Sequence, residues 1–357
     1  MPDIRKPAPA AVEPLLHRAA RIENSVHRFR EKRARKRGLR PTIVPYTGYG
    51  SSGWVRVLSR VLLTRTGTLD GADRANVRGW RSFTSVPVEH AVVEVTIGGR
   101  TQTVTTDRGG VLDVRLESDL APGWHVVTIT TEGSLPVEAP VAVIDPDARF
   151  GIVSDIDDTV MVTSLPRPLL AAWNTFVLNE HARRPVPGMA VLYERLHTSA
   201  GGCPVVYLST GAWNVAPTLS RFLSRNLYPS GPLLLTDWGP THDRFFRSGR
   251  LHKQGSLDRL AEEFPQVRWL LVGDDGQHDE ELYGRFLRDH PENVAAVAIR
   301  ELSPSEAVLA GGRSRSEHAQ GTDVAWVSAP DGAGLWDQLT DAGVASARTA
   351  RPDPEKS

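Results

Sequence analysis

Cysteine is all but missing from this 357-residue chain. Cys203 stands alone, so no disulfide framework exists, and a reducing compartment such as the cytoplasm is expected. No apolar run approaches the roughly 20 residues that cross a bilayer. The charged N-terminus lacks the apolar core of a secretory signal. A soluble or peripherally attached protein is expected. No net charge is left over either: Lys+Arg and Asp+Glu both total 42, so nothing global points to nucleic acid. Lysine is scarce too. Five lysines stand against 37 arginines, and the sole one between Lys36 and Lys356 is Lys253. There the chain keeps a compact point charge where it otherwise uses a planar guanidinium.

The basic residues are unevenly spread. Residues 1–40 carry twelve Lys or Arg against four Asp or Glu. Val12, Leu15, Ala19, Ile22, Val26 and Phe29 alternate in spacings of three and four, which predicts a helix with one apolar stripe. Such an arm, residues 1–41, suits a helix docked on its own protein or paired in a short coiled coil. It equally suits a helix lying on an anionic membrane.

Residues 42–146 switch to short β-branched runs divided by turn residues, with Gly98-Gly99 as a two-residue hairpin signal. Six or seven strands in this span predict an antiparallel β-sandwich, a scaffold or docking module. Residues 147–303 alternate short apolar strands with amphipathic helices, which predicts an α/β domain with a doubly wound parallel sheet covered on both faces. Residues 304–357 turn Gly-, Ser- and Arg-rich, and a loosely ordered tail anchored by Trp326 and Trp336 is expected.

Chemistry concentrates at predicted strand ends, where ligands of such sheets sit. The first strand runs into Asp155-Ile-Asp157-Asp158-Thr159. Stacked carboxylates on a short loop repel one another and select a hard, oxygen-seeking cation such as Mg²⁺. A calcium loop is the competing reading, but its central glycine is missing. Ser209-Thr210-Gly211 follows the second strand. A hydroxyl with nearby backbone N–H groups suits a phosphate oxygen there, or serves as an ordinary helix cap. Lys253 precedes the fourth strand, which closes in Gly273-Asp274-Asp275-Gly276-Gln277-His278-Asp279. That run is an acid site or a polar turn.

Asp-x-Asp-x-Thr after an apolar strand resembles the first motif of the haloacid dehalogenase superfamily, and the Asp274-to-Asp279 spacing resembles its fourth. More narrowly, residues 147–303 resemble the phosphatidate phosphatase family of the yeast actin patch protein. Gly48-Tyr49-Gly50, Asp155 to Thr159, Tyr207-Leu208-Ser209, Trp213, His252-Lys253 and Gly273 to Tyr283 carry that likeness. Thr210-Gly211-Ala212 and Asp275 depart from the family pattern and bear on substrate choice. The resemblance implies a Mg²⁺-dependent phosphatase acting on a phospholipid or another phosphoester. Asp155 would be the nucleophile and Asp157 the general acid and base. Asp155, the Asp157 carbonyl and Asp274 would hold Mg²⁺, while Ser209 and Lys253 would neutralise phosphoryl oxygens. Thr159, Thr210 and Gly211 would line the substrate, with Asp275 and Asp279 orienting the groups around the metal. The stretches 160–188 and 226–253 are too short for a large cap domain. A phosphatase of soluble phosphometabolites or phosphoproteins, or a non-catalytic interaction protein, remains the alternative.

Overall fold

The computed structural model describes residues 29–65, 86–162, 184–236, 242–276, 278–309 and 323–345. The apolar stripe up to Val26 lies outside these residues, and Phe29 at its end is exposed. Residues 29–36 are helical and tuck Ala34 into the first core before the sheet begins.

That sheet joins β1 (Leu39–Ser51), β2 (Gly53–Arg65), β3 (Val86–Pro87), β4 (Val92–Ile97), β5 (Arg100–Thr105), β6 (Val111–Ser118), β7 (Gly123–Thr131) and β8 (Val137–Val143). It runs in the order β3-β2-β1-β8-β7-β4-β5, with β6 also on β2. Gly98 and Gly99 both take positive φ, as the predicted two-residue hairpin between β4 and β5 requires. Two features depart from the expected antiparallel pattern. The eight strands form one hydrogen-bonded sheet, and β1 pairs β8 in parallel. The strand β1 itself was hidden in the sequence by Pro41, Pro45, Gly48 and Gly50, residues that ordinarily argue against a strand interior.

β2 shows why this sheet does not stand alone. Val55, Val57, Val61 and Leu63 point into the sheet's own core, as the period of two demands. The alternate residues Trp54, Leu58 and Leu62 join the core of the second unit. A strand apolar on both faces is thus buried on both.

The second unit is a six-stranded, wholly parallel sheet of β9 (Phe150–Asp155), β12 (Val205–Ala212), β13 (Leu233–Thr236), β14 (Arg268–Asp274), β15 (Val294–Arg300) and β16 (Ala325–Ala329). Its order is β13-β12-β9-β14-β15-β16, which puts β9 at the centre. A two-stranded ribbon of β10 (Met161–Val162) and β11 (Arg184–Pro185) sits beside it. The helices are α1 (Met189–Ser199), α2 (Ala216–Arg225), α3 (His242–Glu263), α4 (Asp279–Asp289), α5 (Pro304–Leu309) and α6 (Gly332–Asp341). α3 starts at His242, so Lys253 sits inside a helix. No helix among the described residues is long and apolar enough to cross a membrane.

The expected loose tail needs correction over residues 323–345. β16 adds to the sheet edge with Trp326 opposite Val297, and α6 buries Leu335 and Leu339 in the main core. Asp331 caps α6 by accepting from the Ala333 and Gly334 N–H groups at 3.0 and 2.9 Å. Gly and Ser content masked a short strand and helix whose apolar residues are few but well placed. Leu335→Ala should therefore destabilise the fold by about 2–5 kcal/mol, whereas exposed Asp337→Ala should cost less than about 0.5 kcal/mol. Denaturant melts of the two variants check this.

Candidate active site

β9 runs between β12 and β14, all parallel, so three strand ends meet at one edge. Register sets Asp155 beside Leu208 and Ser154 beside Val272. Ser209 and Asp274 thereby arrive next to Asp155. Lys253 reaches in from α3, its Nζ 2.6 Å from Asp155 Oδ1 and 2.8 Å from Asp279 Oδ1. All three side chains are buried. Asp279 Oδ2 also accepts from the Asp274 N–H at 3.4 Å. Gly273 permits this packing, because a Cβ there would lie 2.7 Å from both Asp279 Oδ2 and the Tyr283 ring. The run from Gly273 to Asp279 thus needs its glycine for close approach rather than for a turn.

After Asp155 the chain folds into a tight loop, with the Val160 and Met161 N–H groups donating to the Ile156 carbonyl at 3.1 and 3.2 Å. Asp158 sits in the left-handed region at φ 58. Asp157 Oδ2 accepts from Ser209 Oγ at 3.1 Å, and Ser209 Oγ accepts from the Gly211 N–H at 3.0 Å. The strand β12 continues through this segment to Ala212, with its pairing interrupted between Leu208 and Ala212.

The predicted site residues separate into groups. Asp155, Asp157, Ser209, Lys253, Asp274 and Asp279 converge. Thr159 is fully buried, its Oγ1 3.5 Å from Asp155 Oδ2, so it faces the carboxylate rather than an open wall. Thr210 and Gly211 present their carbonyls to Thr236 Oγ1, and Ser209 takes the Gly211 N–H. Asp275 accepts from the Leu302 N–H at 2.8 Å and so ties the ends of β14 and β15 together.

Charge decides the chemistry here. Burial raises the Asp155 carboxyl well above its usual range; Lys253 opposes the rise, while Asp279 and Asp157 add to it. Asp274 is raised likewise, by burial first and then by Asp279 and Asp155. Burial works against the Lys253 charge, but Asp155 and Asp279 outweigh it and hold the ammonium protonated. One lysine thus faces several acids. Carboxylate oxygens of Asp155, Asp274 and Asp279 lie within 4.8 Å of one another, a donor set of hard oxygens that fits a divalent cation.

With this geometry in hand, the comparisons are informative. Residues 150–301 match the family model for the catalytic domain of phosphatidate phosphatase APP1. By that match the segment is similar to the APP1 catalytic domain. Phosphatidate phosphatase APP1 of Saccharomyces cerevisiae is 27% identical over 207 residues, 56% of this chain and 35% of its own length. An uncharacterised protein of Schizosaccharomyces pombe is 24% identical over 154 residues, 43% of this chain and 25% of its own. The chain thus spans only a third and a quarter of these relatives. Among solved structures, a carbohydrate acetylesterase from Xanthomonas citri aligns at 12% identity over 76% of this chain and 73% of its own. Its TM-score of 0.27 carries no argument.

At the end of the segment that matches the family model and just beyond it, the structure adds a pair that sequence reasoning missed. Buried Arg300, at the end of β15, donates from Nη1 to the Asp158 carbonyl at 2.7 Å. Its Nη2 meets both oxygens of Glu306 on α5, at 2.8 and 3.0 Å. The loop between Asp157 and Thr159 is therefore braced at its left-handed residue, a conformation that costs roughly 1–2 kcal/mol in a non-glycine. The sequence signal was faint: one arginine closing an apolar strand, six residues before an acid.

Two outcomes follow. Arg300→Ala strips the Asp158 carbonyl of its donor and should cost about 1–3 kcal/mol in a denaturant melt. The second outcome concerns pH. A carboxyl whose folded pKa exceeds its unfolded one stabilises the fold below the unfolded value, and this is lost as pH rises through the folded value. Asp155 and Asp274 are both raised, so in EDTA the melting temperature should fall as pH rises above the ordinary aspartate range. Millimolar Mg²⁺ or Ca²⁺ should flatten that slope by favouring the ionised acids.

Proposed function

We propose that this chain is a Mg²⁺-dependent phosphomonoester hydrolase working through an aspartyl-phosphate on Asp155, with phosphatidate as substrate and diacylglycerol and phosphate as products. The observation that carries the reading is the buried Asp155–Lys253–Asp279 contact beside the Asp157–Ser209 pair, on adjoining tips of a parallel sheet. The match of residues 150–301 to the family model and the lipid substrate in the name of the Saccharomyces relative support it. We read residues 147–303 as a haloacid dehalogenase-type domain without a large cap and residues 42–146 as a β-sandwich-like module. Residues 1–41 are read as an arm for peripheral contact with anionic membrane from the cytoplasm.

In this mechanism an Asp155 carboxylate oxygen attacks phosphorus in line with the ester bond. Lys253 opposes the burial that favours the neutral acid at Asp155 and neutralises charge on the transferring group. As the P–O bond to the alcohol breaks, Asp157 gives its proton to the leaving oxygen. Asp157 then takes a proton from water, which attacks the acyl phosphate, releases phosphate and restores Asp155. Ser209 orients Asp157 through its hydroxyl. Mg²⁺, held by Asp155, Asp274 and the Asp157 carbonyl, would supply charge to offset the phosphoryl oxygens. A site without a large cap would suit a substrate embedded in a surface.

Asp155→Asn should lower turnover of a generic aryl phosphate by on the order of 10³ or more. Lys253→Arg should fail nearly as badly as Lys253→Ala, because a wide planar cation does not fit between two buried carboxylates. The exposed Lys32 and Lys36 should tolerate arginine. Vesicles of phosphatidate, assayed beside soluble phosphoesters, decide the substrate. Removing residues 1–28, which stops short of buried Ala34, should reduce vesicle turnover and spare the soluble ester. Equal loss on both substrates would overturn the membrane role of the arm.

A further inference from the structure

The APP1 family model begins at residue 150, yet the eight-stranded sheet reaches two of the elements that carry the proposed catalytic side chains. The cause begins in β1. Residues three apart on a regular strand face opposite ways, but the pairing of β1 with β2 slips between Tyr46 and Tyr49. This bulge turns both tyrosines toward the parallel sheet, where both join its core. Tyr46 stacks on Trp213 at a centroid distance of 4.6 Å and 25° between planes. Trp213 follows directly on the segment Ser209-Thr210-Gly211-Ala212. Tyr49 packs on Phe264 at 6.0 Å and donates its hydroxyl to Glu263 at 2.9 Å.

Charges repeat the pattern. Arg56, on the face of β2 turned to the second unit, pairs with Glu263 of α3 and with Asp113 of β6, the latter at 2.6 Å. Arg259 of α3 closes the group by donating to Asp113 at 2.9 Å. Arg56 and Glu263 are 12% and 6% exposed, so this pair is shielded, while Asp113 and Arg259, at 33% and 24%, reach solvent. Burying these charges would be costly if the sheet were only a neighbour. Arg259 and Glu263 lie six and ten residues from Lys253 on the same continuous helix, about 9 and 15 Å along its axis. A helix clamped at this end fixes the height and rotation of Lys253.

We infer that the eight-stranded sheet is a positioning element of the active site, holding α3 through Arg56, Asp113 and Tyr49 and the Ser209 segment through Tyr46. The inference rests on the phosphatase reading for its catalytic consequence, while the mechanical link stands on contacts alone. Arg56, Asp113, Tyr46 and Tyr49 are positioning residues. They touch neither substrate nor metal.

The test uses the full chain and the variants Arg56→Met, Arg56→Lys and the milder Asp113→Asn, each assayed well below its melting temperature. Kinetics on a soluble aryl phosphate are combined with amide hydrogen exchange across residues 249–256 and 209–213. Arg56→Met should lower kcat about tenfold with KM little changed and should raise exchange around Lys253. Arg56→Lys should recover most of both, and Asp113→Asn should show the same direction more weakly. Unchanged exchange in these segments, or a loss of activity that only follows the unfolded fraction, would overturn the inference. If the wild-type chain hydrolyses no phosphoester, the phosphatase reading fails, and the exchange measurement still decides whether the sheet holds α3.

Discussion

A single buried ammonium holds this site together. Lys253 lies within ion-pair distance of Asp155 and Asp279, while Asp274 stands close enough to both to repel them. Two unit charges about 4 Å apart interact by roughly 4 kcal/mol even with the screening usual near a protein surface, several times the ~1 kcal/mol of an ordinary hydrogen bond. Three carboxylates at one sheet edge are therefore governed by charge and not by hydrogen-bond geometry. The parallel pairing of β9 with β14 brings the acids together, Gly273 lets Asp279 pack against its strand, and α3 supplies the cation. One positive charge does not balance the set. The remaining negative charge is what suits the edge to a divalent cation and, with it, to a phosphate.

Much of this was legible in the sequence because it obeys local rules. Apolar strands buried on both faces read as continuous runs, and their acidic ends marked the site. Lys253 stood out by its scarcity in a chain so biased to arginine and by its place ahead of the fourth strand. The periods of the first sheet were also clear, apart from β1, whose prolines and glycines look like breakers. What could not be read depends on distant partners. The bulge that turns Tyr46 and Tyr49 the same way is set by pairing with β2, and the Arg300 brace joins residues 142 positions apart. The ordering of residues 323–345 depends on a free edge at β15 that only the assembled sheet provides. Ser209 was legible as a hydroxyl at a strand end, but its bond to Asp157 appears only when β9 and β12 lie side by side.

The two sheets share a physical logic. β2 spends one face on each core, so neither unit buries its apolar surface without the other. Covering the parallel sheet in this way places charged partners on α3 and an aromatic ring on Trp213, both one step from catalytic side chains. Packing thus supplies the rigidity that the chemistry needs, because a site that depends on one cation between two acids tolerates little displacement.

The central claim is that Asp155 is the attacking group, and its most direct measurement is the covalent mass carried by the enzyme during turnover. Protein quenched in acid after mixing with Mg²⁺ and an activated phosphoester, then digested, should yield a peptide containing Asp155 that is heavier by one phosphoryl group. The adduct should accumulate in Asp157→Asn, be lost on treatment with hydroxylamine and be absent from Asp155→Asn. A phosphoryl group on another residue, or turnover with no adduct in the Asp157→Asn protein and full activity in Asp155→Asn, would contradict the account.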